Sequence, residues 1–461
     1  MIIRLALRTI TAHPIRTAVL AAGFGTGVSV MAILLGVAQI VLDQARAPAL
    51  AGGGDVVVTG TSHGIPARVL LVGALQTPAL ASRTKAAVAS SRAGLFLVKD
   101  DGSTIAVKAR GGVPSEERRL DDPELRDQPA WQDTEEDRAW TTPDPADVLR
   151  AIDRFHPVPD VPEWASSWAE WLYFNGRSGD TRFYLTFLVG PGTPDGRRVA
   201  GVRLQLERQG KLTSYTAGAA LDRAAVLRAP ELTIGNNTIT LEGRRYRIAL
   251  DLKDARGVRV TGTLDVEGAA GRLMPPIEIT GARGWRTGYV VPVMAGTLGG
   301  SLRVGRELVS LDTGTSYHDH NWGFWEGVSW QWGQVQHDGL SVVFGRVFPP
   351  KTAADPDRVP GFLGVLGPDG PIGYTTRVTI EETNAPGTTR PARVVIRGRS
   401  STLDLVLDFA VESMEVNRMR GPMAGELDFL QMRGHYTAKG TAGSRPLAFE
   451  SAGSAETFRG R

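Results

Sequence analysis

From about residue 164 to the C-terminus, apolar and polar residues alternate in short runs. Arg182-Phe183-Tyr184-Leu185-Thr186-Phe187-Leu188, Val202-Arg203-Leu204-Gln205-Leu206 and Tyr246-Arg247-Ile248-Ala249-Leu250 are rich in β-branched and aromatic residues. A period of two puts one side of an extended chain in a core and the other in water. Asn175-Gly176, Pro194-Asp195-Gly196, Asp338-Gly339 and Pro368-Asp369-Gly370 supply the turns between runs. Further runs follow at Val394-Val395-Ile396, Leu403-Asp404-Leu405-Val406-Leu407 and His435-Tyr436-Thr437-Ala438. No stretch here carries a sustained helical period. The spacing predicts antiparallel strands that close into barrels or stack as sheets. The length suits two barrels, expected over 161–300 and 301–461.

The N-terminus follows another rule. Residues 17–42 contain no Asp, Glu, Lys, Arg or His. As a helix this run is roughly 39 Å long, enough to cross a hydrocarbon core of ~30 Å. Arg4, Arg8, His13 and Arg16 precede it, and positive flanks stay in the cytoplasm. The expectation is a single-pass inner-membrane anchor over 1–46, with the bulk of the chain periplasmic. The competing reading is a cleavable signal peptide ending near Ala47-Pro48-Ala49, although the apolar core of such peptides is only ~7–15 residues. Gly23-x-Gly25 lies inside the run, where small residues let helices approach closely; a nucleotide-binding turn needs a strand before it and a soluble helix after it.

Residues 47–112 read as a small mixed region, with strands at 56–58, 95–98 and 105–107 and a helix within 75–92. Ten acidic residues lie between Glu116 and Asp137, and 113–160 is expected to be an extended acidic connector. It lacks the alternating carboxylates and central glycine of a calcium loop.

Charge and composition narrow the function. With 52 basic and 49 acidic residues the net charge is +3, so the concentrated basic footprint of a nucleic-acid binder is absent. There is no cysteine, which excludes disulfides, thiol nucleophiles and cysteine-ligated metals.

The densest chemical segment is Tyr317-His318-Asp319-His320-Asn321-Trp322-Gly323. Four of the ten tryptophans, Trp322, Trp325, Trp330 and Trp332, fall within 11 residues of one another here. A carboxyl group beside aromatic faces suits protonation of an alkene and stabilisation of the cation that results. The same residues also suit a buried polar knot at a barrel corner. His318 and His320 would share one strand face, with His337 a candidate third metal ligand, but no metal or cofactor is expected. Asp312-Thr313-Gly314 resembles half of an aspartic-protease site, which needs a second such triplet, and the chain has none.

Tyr317–Gly323 is very similar to the signature of the hydroxyneurosporene synthase (carotenoid 1,2-hydratase) and AttH-like family. Trp168-Ala169-Glu170-Trp171-Leu172-Tyr173-Phe174-Asn175-Gly176 resembles a second block of that family, and Ser329-Trp330-Gln331-Trp332 with Gln336-x-Asp338-Gly339 a third. The resemblance spans about 160–455 and implies two tandem lipocalin-like barrels. It further implies Asp319 as general acid, with His320 and Tyr317 orienting or relaying the proton. Ligand contacts would come from His318, Asn321, Trp322, Trp325, Trp330, Trp332, Glu170, Trp171 and Tyr173. Leu5-Ala6-Leu7-Arg8, His13-Pro14-Ile15-Arg16-Thr17 and Gly54-Asp55-Val56-Val57-Val58 resemble the first segment of MacB/FtsX-type ABC transporter permeases. No second membrane-length run follows, so the expected partners are a hydrophobic isoprenoid or lipid, the membrane and an ABC transporter complex. Hydration or isomerisation of an isoprenoid double bond is the alternative to simple carriage.

Overall fold

The computed structural model describes residues 67–120, 130–421 and 425–460, together with Pro14, Ile15, Phe24, Met31 and 56–58. The expected anchor over 17–42 lies almost wholly outside these residues. Among them, no helix is long and apolar enough to cross a membrane.

The chain divides into two units. The described part of the smaller one is built on a hairpin of β1 (Ser91–Val98) and β2 (Thr104–Gly111), paired from Ser91↔Gly111 to Val98↔Thr104. A short helix over Pro114–Arg119 follows. Its Glu117 is fully buried, where Arg110 and the Ser90 hydroxyl satisfy the carboxylate.

The larger unit is all-β in its framework, and its first part is a closed barrel. Its strands are β3 (Trp168–Ser178), β4 (Thr181–Gly192), β5 (Arg198–Arg208), β6 (Lys211–Leu221), β7 (Leu232–Ile234), β8 (Asn237–Glu242), β9 (Arg245–Lys253), β10 (Arg259–Gly268), β11 (Met274–Thr280), β12 (Arg286–Val304), β13 (Glu307–Ser310) and β14 (Gly314–Phe324). Around the barrel the order is β9, β10, β12, β14, β3, β4, β5, β6, and β6 meets β9 again at Thr216↔Lys253. Closure removes the exposed edges that an open sheet would leave. Inward-facing Phe174, Phe183, Phe187, Leu204, Tyr246 and Ile248 fill the interior.

The helix over Pro145–Ile152 contributes to that interior. Asp144 caps it by accepting from Ala146 N at 2.8 Å, and Pro145 opens its first turn. Val148, Leu149, Ile152 and then Phe155 are buried in the barrel core. This corrects the expectation that 113–160 is an extended connector: apolar residues at helical spacing follow the acidic run and fold onto the barrel. A helix over Ala67–Gln76 buries Val69 and Val72 in the same cluster, and a short second helix over Pro78–Ala81 falls within the 75–92 expected.

The second part is one sheet of nine strands: β15 (Ser329–His337), β16 (Leu340–Phe348), β17 (Phe362–Gly367), β18 (Gly370–Thr375), β19 (Val378–Asn384), β20 (Pro391–Arg399), β21 (Leu403–Gly421), β22 (Gly425–Ala442) and β23 (Arg445–Gly460). It runs β18-β17-β16-β15-β23-β22-β21-β20-β19, and its end strands do not pair. The expected second barrel is therefore a half-barrel. Its core holds Phe344, Leu363, Ile396, Leu407, Phe409 and Tyr436. The expected boundary at 300 falls inside β12, which pairs with β14 over Thr287↔Gly323 to Leu298↔Gly314. The break between sheets comes instead between β14 and β15.

A third cluster joins the two parts. Tyr173, Val291, Met294 and Tyr317 on the outer face of the barrel pack with Trp332, Val343 and Leu366 of the half-barrel. β3, β12 and β14 thus carry apolar side chains on both faces, one set for each core.

Candidate functional site

Because side chains on a strand alternate, β14 divides the Tyr317–Gly323 segment between two environments. Tyr317, Asp319 and Asn321 point outward toward the half-barrel, whereas His318, His320 and Trp322 point into the barrel. β3 divides in the same way. It pairs with β14 in the register Trp171↔Asn321, Tyr173↔Asp319 and Glu170↔Trp322. Trp171 and Tyr173 therefore share the outer face, and Glu170 faces the interior.

The outer face borders a cavity of about 860 Å³ between barrel and half-barrel. Of the residues expected at the site, Asp319, Asn321, Trp171, Tyr173, Trp325, Trp330 and Trp332 line it. Tyr317 lies on the same face, beneath Tyr289. The aromatic wall is continuous: Trp325 lies 4.6 Å from Trp171 and 5.4 Å from Trp330, and Trp330 4.1 Å from Phe458, between ring centres. The Trp325 indole N–H donates to Ala169 O at 2.9 Å, which fixes that ring in place.

Asp319 is 3% exposed. Asn321 Nδ2 donates to its Oδ1 at 2.9 Å. Behind it, Tyr317 and Tyr289 share a hydrogen bond of 2.6 Å, and Trp332 Nε1 donates to Tyr289 Oη at 3.0 Å. Burial pushes the Asp319 carboxyl well above the usual carboxylate range. The negative charge of Glu456 pushes it further, and only Tyr317, His320 and Asn321 oppose the shift. Burial against an apolar cavity thus favours the neutral form of Asp319. The Tyr289 and Tyr317 hydroxyls are also pushed far up, first by burial.

The inward set forms a separate, charged network. His318 Nε2 lies 3.0 Å from Asp153 Oδ2, and His318 Nδ1–H donates to Tyr173 O at 3.0 Å. His320 Nδ1 lies 3.1 Å from Asp153 Oδ1, and His320 Nε2 lies 2.9 Å from Glu170 Oε1. Glu170 also takes His156 Nδ1 at 2.7 Å and His156 N at 3.0 Å. Burial works against the His320 cation, but the facing Asp153 carboxylate and the hydrogen-bonded Glu170 outweigh it and hold the imidazole up at about 9. Burial likewise works against the Asp153 carboxylate, but His318 and His320 bring it down to about 2. Phe174 stacks on His318 at 4.0 Å and His156 on Trp322 at 4.4 Å.

This arrangement corrects several expected roles. His320 turns away from the cavity and cannot relay a proton to a ligand there. His318, Trp322 and Glu170 face the barrel interior and do not form a cavity wall. His337 stacks on Phe449 and does not join His318 and His320. His156, Glu170 and His320 offer ligand atoms within 4.8 Å of one another, a set that could hold a metal ion. Asp312 is an exposed turn residue that accepts from Gly300 N at 3.0 Å and from Ser310 Oγ at 2.9 Å.

Several site residues escaped the sequence reading. Asp153 and His156 sit just after the helix placed in the connector, and Tyr289 lies on an unremarkable strand. Arg203, Gln431 and Glu456 line the cavity from β5, β22 and β23. Their signal was slight: a carboxylate or amide on a strand normally marks its solvent side.

The closed barrel with a half-barrel packed on its outer face places the chain among lipocalin-like β architectures. No family model matches the sequence, and no curated protein matches it. Among solved structures, an AttH protein of Nitrosomonas europaea is 16% identical, with 66% of this chain and 99% of that chain covered and a TM-score of 0.44. Kievitone hydratase of Nectria haematococca is 15% identical, with 67% and 94% covered and a TM-score of 0.42. CghA is 10% identical, with 66% and 94% covered and a TM-score of 0.43.

The inward network sets a pH signature. The His320 value is raised from 6.5 to about 9, so its stabilisation is complete below about 6.5 and is lost as pH climbs through about 9. His320→Gln leaves Asp153 and Glu170 buried without that cation, and a loss of about 3–5 kcal/mol is expected. Melting curves from pH 6 to pH 9.5 should show the difference in Tm between wild type and variant shrinking as pH rises. A constant difference would show that His320 is not a buried cation.

Proposed function

We propose that this chain binds an elongated hydrophobic ligand, of isoprenoid or acyl-chain type, in the cavity between its barrel and half-barrel. The carrying observation is the cavity itself: about 860 Å³, with the rings of Trp171, Tyr173, Tyr289, Trp325, Trp330 and Phe458 among its lining. That volume suits a single small-molecule ligand. Membership of the hydroxyneurosporene synthase and AttH-like family is part of the proposal. Its support is that two of the resembling blocks are adjacent strands, β3 and β14, and that the third, on β15, lines the same cavity.

A second reading is favoured by the state of Asp319. A neutral carboxylic acid facing an aromatic wall can protonate an alkene, and the rings then stabilise the cation. Hydration or isomerisation of an isoprenoid double bond fits this arrangement.

Binding is tested with cis-parinaric acid, a fluorescent polyene. Saturable quenching of tryptophan emission is expected, and Trp330→Ala should weaken it about 10-fold, since this ring meets Trp325, Trp171 and Phe458. Absence of saturable quenching in the wild-type chain would contradict the binding reading.

We further propose that the chain is anchored in the inner membrane with residues 55–461 outside the cytoplasm, beside an ABC transporter. The charge-free run over 17–42 and its basic N-terminal flank support this. An alkaline phosphatase fusion after residue 60 should be active, whereas fluorescence from a cytoplasm-only reporter at that position would overturn it.

A further inference from the structure

We propose that Glu456 is a second catalytic carboxyl in the cavity, the base that receives the proton of an attacking water while Asp319 protonates an alkene. The proposal rests on the hydration reading above and gives that reaction its second half.

Glu456 comes from the half-barrel and Asp319 from the barrel, so the two parts of the fold contribute one carboxyl each. Glu456 lies opposite Trp332 in the β15–β23 register, and it lines the same cavity as Asp319. Its hydrogen bonds run in one direction. Arg203 on β5 donates to Asn417 Oδ1, Asn417 Nδ2 donates to Gln431 Oε1 at 3.2 Å, and Gln431 Nε2 donates to Glu456 Oε1 at 3.2 Å. The chain starts at a guanidinium and ends at the carboxyl. Every link hands a donor toward Glu456, the pattern that favours an acceptor carboxylate there.

Asp319 has the opposite setting. Around it stand Asn321, Tyr317 and, behind Tyr317, Tyr289, with no guanidinium feeding the group. Burial raises both carboxyls, and Glu456, eased by Gln431, Trp330 and Arg203, comes to about 7. Two carboxyl groups on one cavity, one at the end of a donor chain that starts at a guanidinium and the other met by a neutral amide, suit a base and an acid.

The step balances without any redox partner. The O–H bond of Asp319 breaks as the alkene π pair forms a C–H bond, leaving a tertiary cation against the rings. A water lone pair forms the C–O bond, and the O–H bond it loses gives its proton to Glu456. Glu456 then releases a proton and Asp319 takes one up, so the net change is alkene plus water to alcohol.

The test uses the full chain in detergent with squalene in ¹⁸O-labelled water, and cis-parinaric acid as the binding probe. Wild type should form labelled alcohol. Glu456→Gln should lower turnover by about 10²-fold or more while probe binding stays within about 2-fold, and Glu456→Asp should retain part of the activity. The wild-type rate should rise as pH passes about 7, where Glu456 ionises among Asp319, Tyr173, Tyr289 and Arg203, and this limb should vanish in Glu456→Gln. Full turnover in Glu456→Gln overturns the proposal. So does loss of probe binding together with turnover in that variant, which would assign Glu456 to holding the Gln431–Asn417 chain. Wild type that binds the probe but incorporates no label also overturns it and leaves the binding reading standing. Wild type that does neither sinks the binding reading itself.

Discussion

One strand serves two cores, and the rest of the site depends on that constraint. From Ser316 onward β14 is covered by the barrel interior on one face and by the half-barrel on the other, so neither side of its alternation is exposed there. Polar residues on such a strand must find partners inside the protein or face a cavity. β14 does both. Its inward histidines meet Asp153 and Glu170, and its outward Asp319 meets a mainly apolar cavity that includes the rings of Trp171, Trp325 and Trp330.

The two faces solve the burial of charge in opposite ways. Inside the barrel, acid and imidazole are brought together, and Asp153, Glu170 and His320 favour their charged forms because each has a counter-charge near 3 Å. Removing water from an ion is tolerable only with such a partner. In the cavity the hydrogen bond to Asp319 comes from the neutral Asn321 amide, and burial favours the neutral acid. The inward network also fixes the backbone from which Asp319 projects, since His318 and His320 flank it and bind groups on β3 and beyond the Pro145–Ile152 helix. The histidines thus hold the acid in position without touching what it faces.

The two-residue period made the strands legible in the sequence, and with them the all-β class, because every strand here needs at least one apolar face. The cluster over 317–332 was legible as a site, since so many chemical side chains on adjacent strands are unusual. What the sequence concealed was the division of that cluster. Alternation alone separates Asp319 from His320, but both neighbours of β14 must be known before either face can be named. Asp153 and His156 were hidden because the acidic run before them obscured a short amphipathic helix. Glu456 was hidden by distance: it lies over a hundred residues from Asp319 on the last strand, and only the packing of the half-barrel on β3, β12 and β14 brings them to one cavity. The placement of the sheet break after β14 was equally out of reach, because nothing in the chain distinguishes strand partners within a sheet from those between sheets.

The central claim is that Asp319 is kept as a neutral acid by this two-sided burial. Infrared difference spectroscopy of wild type against Asp319→Asn at neutral pH tests it most directly. The C=O stretch of a protonated carboxylic acid should be present in wild type and absent in the variant. If the difference spectrum instead shows only the stretches of an ionised carboxylate, Asp319 carries charge in the folded protein and the account of the cavity is wrong.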